Sequence, residues 1–95
     1  MTNEAVSSTG SSMSIRIDCL LFGRYAELLE VGVLPLQLPE NATAGDVVAR
    51  LRADRPNGKQ LPLEPMVAVN RKHVKLDTAL ADGDEVALLP PLAGG

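Results

Sequence analysis

The sequence predicts an α+β fold, a sheet of about five strands with one main helix packed on one face. Three stretches carry that prediction. Ile15, Ile17, Cys19 and Leu21 alternate with Arg16, Asp18, Leu20 and Phe22, the period of two that a strand with one buried face requires. Ala44, Val47, Val48 and Leu51 fall at helical spacing behind Thr43, a residue type that caps helix N-termini. Glu85-Val86-Ala87-Leu88-Leu89 reads as a closing strand. Pro90-Pro91 ends it, because each proline fixes φ at about −65° and removes a backbone donor.

The other elements follow from local signals. Gly23 ends the first strand, read as Ser14 to Phe22, and Arg24 to Leu29 supply one or two helical turns carrying Tyr25, Leu28 and Leu29. Val31 to Leu38 read as a second strand, which Pro35 confines to an edge or a bulge, since proline cannot donate to a ladder. Asp46 sits at the third position of the main helix, where it suits both the cap and the positive end of the dipole. Arg50, Arg52 and Arg55 lie toward the negative end and read as solvated, dipole-complementing side chains, with the helix stopping before Pro56-Asn57-Gly58. Lys59 to Pro65 is too rich in proline for regular structure. Met66 to Val69 and His73-Val74 form strands joined at Asn70-Arg71, where Asn tolerates positive φ. Asp77 to Leu80 read as a single turn and Ala81 to Asp84 as a tight turn into the last strand. The acids Asp82, Asp84 and Glu85 lack calcium-loop spacing, and turn chemistry accounts for them.

Composition bounds the function. A chain of 95 residues with 45% apolar side chains makes one domain near the lower size limit for an unstapled core. Phe22 and Tyr25 are its only aromatic residues, so Leu, Val, Ile and Ala must build that core. The lone cysteine, Cys19, falls on the buried strand face and reads as a small hydrophobe in a reducing, cytoplasmic setting. His73, the single histidine, has no neighbour for metal or acid/base work and reads as a surface or interface residue. No metal box, phosphate loop or nucleophile beside a base occurs, so the chain is expected to bind no metal or cofactor and to catalyse nothing by itself. A net charge of −3 argues against nucleic-acid binding and suits a basic partner surface. Residues 1–13 contain no signal or membrane segment and read as a disordered extension before a domain at 14–89.

Residues 90–95, Pro90-Pro91-Leu92-Ala93-Gly94-Gly95, form a flexible tail that is stiff at its root. Six extended residues reach roughly 20 Å. Gly94 and Gly95 have no side chain, so the tip fits a channel that rejects any Cβ, and the Gly95 carboxylate is the candidate reactive group. Leu20 and Phe22 are apolar where solvent is expected. Together with Leu89 they make a candidate partner-binding patch.

The run Asp82 to Gly95, DGDEVALLPPLAGG, resembles the C-terminus of the molybdopterin synthase small subunits, the MoaD family of the ubiquitin-like β-grasp sulfur carriers, which also include the thiamin carrier ThiS. Leu21 to Leu28 and Ala68-Val69-Asn70 fall where that family has similar stretches. The likeness therefore runs from Ile15 to Gly95, and the Pro90-Pro91 pair favours the molybdopterin branch. It implies a mixed β-grasp sheet whose first and last strands lie side by side and parallel, bringing Leu20 and Phe22 beside Ala87 and Leu89. It also implies a chemistry. A carboxylate is a poor acyl donor, so an adenylating, MoeB-like partner would use ATP to convert Gly95 to an acyl-adenylate. A sulfur donor would then displace AMP and leave a thiocarboxylate. That sulfur would be delivered to cyclic pyranopterin monophosphate in the large, MoaE-like subunit of molybdopterin synthase. Three other readings stay open on sequence alone: a carrier for thiamin, cysteine or tRNA thiolation, a ubiquitin-like protein modifier, and a plain β-grasp binding module.

Overall fold

The computed structural model describes residues 14–91. The elements are β1 (Ser14–Leu21), α1 (Gly23–Leu29), β2 (Val33–Pro39), α2 (Ala44–Asp54), a 3-10 turn (Gly58–Gln60), β3 (Met66–Val69), β4 (Lys72–Val74) and β5 (Glu85–Leu89). The sheet order is β2-β1-β5-β3-β4. β1 and β5 lie parallel at its centre, with Leu20 opposite Ala87 and Leu21 opposite Leu88; the other neighbours pair antiparallel. This is the mixed sheet that the family resemblance implies.

Alternation decides the two faces. Ile15, Ile17, Cys19 and Leu21 of β1 are buried against Val86 and Leu88 of β5, Val67 of β3 and Leu38 of β2. Helix α2 closes this inner face with Ala44, Val47, Val48 and Leu51. Its start is fixed by a capping box: Thr43 Oγ1 accepts from the Asp46 N–H at 3.3 Å, and Asp46 Oδ2 accepts from the Thr43 N–H at 2.8 Å. β2 lies at the sheet edge, where Pro35 costs no ladder bond. The β3–β4 turn takes Asn70 and Arg71 at φ of 51° and 73°, the left-handed pair that a two-residue hairpin favours.

Four details differ from the sequence reading. β1 stops at Leu21, because the Phe22 carbonyl turns to accept from the Tyr25 N–H at 3.0 Å and opens α1. β2 begins at Val33 instead of Val31. The turn after β4 sits at Lys75–Thr78, closed by the Thr78 N–H donating to the Lys75 carbonyl, and Ala79 then bridges Thr43 at the head of α2. The proline-rich loop is also more ordered than read, and this overturns the assignment of Arg52 and Arg55 as solvated. Arg52 donates to the carbonyls of Lys59 and Leu61, and Arg55 to that of Leu29. Both side chains are part-covered and staple the 3-10 turn and α1 to the end of α2, while Leu61 and Pro65 are buried beneath. Gly58 makes that close approach possible: a Cβ there would stand 2.0 Å from the Leu51 carbonyl oxygen.

Candidate functional site

Parallel pairing brings the C-terminal ends of β1 and β5 to the same edge of the sheet. The chain therefore leaves β5 beside the β1–α1 junction. Pro90 is half-buried there, and a Cβ on Gly23 would lie 3.3 Å from its Cγ. Gly23 has φ of +53°, a backbone that side chains with a Cβ resist. The junction is thus shaped to let the tail root pass. Pro91 is exposed and lines a surface groove with Tyr25 and Leu28 of α1 and with Pro62. Gly94 and Gly95 lie outside the described residues, as does the extension at 1–13.

The outer face of the sheet is polar at the end remote from the tail and apolar at the end where the tail leaves. Arg16, Asp18 and Gln37 occupy the first part. Leu20, Phe22 and Leu89 occupy the second, and all three line one cleft of about 370 Å³ with Ala68 and Ala87. Phe22 is 47% exposed, while Leu20 and Leu89 are half-buried. The structure thus brings the three patch residues together.

It also adds two that sequence reasoning missed. Val33 is paired with Leu20 across the β1–β2 ladder, and Met66 with Leu89 across β3–β5. They are 57% and 49% exposed. Their apolarity was visible in the sequence, but which strand lies beside which, and in what register, was not. Three of the exposed large hydrophobic residues, Phe22, Val33 and Met66, therefore share this face.

The far end of β5 is rigidly anchored. Asp84 accepts from the Ala81 N–H through Oδ2 at 2.8 Å and from the Asn70 side-chain amide through Oδ1 at 2.9 Å. Asn70 Oδ1 in turn accepts from the Glu85 N–H at 3.0 Å, and Asp82 accepts from the Arg16 N–H at 2.8 Å. These acids thus fix the start of β5 against β1 and the β3–β4 hairpin, in keeping with turn chemistry. Cys19 is fully buried on the opposite face, and burial pushes its thiol from the ordinary 9.0 up to about 12. A thiol so held stays protonated at neutral pH and has no access to the tail root.

Comparison with known proteins agrees with this architecture. The ThiS family matches residues 19–95. The molybdopterin synthase sulfur carrier subunit of Chlamydomonas reinhardtii is 32% identical over 83 residues, which cover 85% of this chain and 100% of that one. Small archaeal modifier protein 3 of Haloferax volcanii is 29% identical over 92 residues, covering 85% and 100%. The crystal structure of SAMP1 from Haloferax volcanii superposes with a TM-score of 0.74 at 28% identity, covering 84% of this chain and 99% of that one. The fold is the ubiquitin-like β-grasp, and the chain belongs to the ThiS family, as a sulfur carrier related to the molybdopterin synthase sulfur carrier subunits.

Proposed function

We propose that the chain carries sulfur as a thiocarboxylate on Gly95 and donates it within molybdopterin synthase, as the small subunit of that complex. The observation that carries this reading is the parallel β1–β5 pairing, which puts the tail root and the apolar outer face at the same end of the sheet. A partner that grips Leu20, Phe22 and Leu89 then receives the tail in a fixed direction. Pro90 and Pro91 stiffen its exit, and Gly94 and Gly95 let its backbone enter a narrow channel.

The chain contributes an acyl group and a delivery arm, and its partners do the rest. An adenylating enzyme of the MoeB kind joins the Gly95 carboxylate oxygen to the α-phosphate of ATP and releases pyrophosphate. A sulfur donor attacks the activated carbonyl and displaces AMP. The resulting thiocarboxylate loses its sulfur to cyclic pyranopterin monophosphate in the large, MoaE-like subunit, and water restores the carboxylate. No metal or nucleotide needs a site on this domain, and the work belongs to the cytoplasm.

Intact mass after incubation with ATP, the adenylating enzyme and a sulfur source tests the reading. The wild-type chain should gain the mass difference between sulfur and oxygen, and deletion of Gly95 should abolish that gain with an unchanged melting temperature. Sulfur transfer retained in the deletion would refute it. A second reading, a protein modifier, is favoured by the likeness to small archaeal modifier protein 3. It predicts isopeptide-linked lysine adducts in place of a product thiocarboxylate in the same spectra.

A further inference from the structure

Behind its apolar rows the outer face carries charges that the domain itself leaves unpaired. In the parallel β1–β5 register Asp18 stands directly beside Glu85, so two carboxylates share this face just behind Leu20 and Ala87. Like charges placed in this way disfavour each other, and both call for a cation. Arg71, at the β3–β4 turn, lines the apolar cleft together with Glu85, and Arg16 lies beyond Asp18 on β1. Among the described residues none of these four side chains makes a hydrogen bond or ion pair. Two acids and two bases thus border the apolar rows. On the hairpin side His73 closes the row, and Glu64, Lys75 and Asp77 surround a hollow next to it.

A surface with this layout complements its own copy. A two-fold axis parallel to the strands, running between β5 and β3, lays β5 of one copy over β3 of the other and β1 over β4, an aligned packing of two sheets. The β3–β5 register then sets Leu89 against Met66 and Ala87 against Ala68. Each contact occurs twice, as an isologous interface requires. Phe22 comes over the hollow beside Met66 and His73, and the Asp18–Glu85 pair of one copy meets Arg71 of the other. The net charge of −3 on each chain opposes the approach, so the association is weak and yields to a tighter partner.

We propose that the free chain pairs with a second copy of itself through the outer face, held by Leu89 and Met66 and by Arg71 against the partner copy's carboxylates. The pairing goes beyond the sulfur-carrier reading, because it needs the exposed face and not the tail. Where that reading holds, self-association and docking to the large subunit use one surface and exclude each other.

The test is sedimentation of the full chain from about 10 μM to about 1 mM, the range of weak association, with a titration against purified molybdopterin synthase large subunit in parallel. Wild type should pass from monomer to dimer. Arg71→Asp brings three acids together and should weaken the dimer on the order of tenfold; adding Asp18→Arg to it should restore the wild-type value, because the charges have exchanged places. Asp tolerates the left-handed backbone at position 71, where φ is 73°, and both sites are exposed, so the core is undisturbed. Recovery in the double variant is expected only of a surface that meets its own copy. A wild-type chain that stays monomeric throughout, or a double variant as weak as Arg71→Asp, overturns the inference. A monomeric chain that still binds the large subunit leaves docking intact, whereas a dimer with the charge dependence described and no affinity for the large subunit upholds the inference and overturns the docking reading.

Discussion

The two faces of the sheet are written in the same alternating sequence, yet they behave differently. On the inner face the large side chains of β1 share one core cluster with residues of α2 and β5 and are at most 6% exposed. On the outer face the residues near the tail are equally apolar, but no described element covers them, and Phe22, Val33 and Met66 stay about half exposed. The inner face supplies the energy that holds the domain. The outer face offers area that no described element buries, and it lies where the tail departs. Under the proposed function, stability and delivery fall on opposite sides of one sheet, and substitutions should separate them.

The largest effect on stability is expected inside. Ile17→Ala removes a side chain that is 2% exposed and should cost about 2–5 kcal/mol, read as a shifted denaturation midpoint with little change in partner affinity once folded. A loss below 1 kcal/mol, on the order of a surface substitution, would break the distinction between the faces. At the junction of the faces, Gly23→Ala should cost about 1–2 kcal/mol from its left-handed backbone and crowd Pro90. A stabilised Gly23→Ala protein would remove the argument that this position is shaped for the tail root. A smaller effect comes from Cys19. Its folded value of about 12 lies above the ordinary 9.0, so the unfolded chain gives up the proton first. Stability is then full below pH 9 and declines from there toward pH 12, by about 1 kcal/mol over the first pH unit. A Cys19→Val protein should lack this part of the alkaline decline in equilibrium unfolding.

Much of this was legible in the sequence, for identifiable reasons. The β1 alternation, the Thr43–Asp46 box and the Asn70-Arg71 turn are local signals, and each is realised where its residues stand. The parallel β1–β5 pairing came with the family resemblance, because no local signal tells a strand which distant strand it will join. For the same reason the patch was read as Leu20, Phe22 and Leu89 without Val33 and Met66, which enter by cross-strand register. Arg52 and Arg55 were misread because their partners are carbonyls on a loop and on α1, and a carbonyl leaves no mark in the sequence.

The separation of roles is tested most directly by measuring one variant from the outer face in two ways. Phe22→Ala should weaken binding to the molybdopterin synthase large subunit by about 2 kcal/mol, roughly thirtyfold, and should lower the melting temperature far less than Ile17→Ala does. Unchanged affinity together with a collapsed melting temperature would show Phe22 to be a structural residue and would contradict the account.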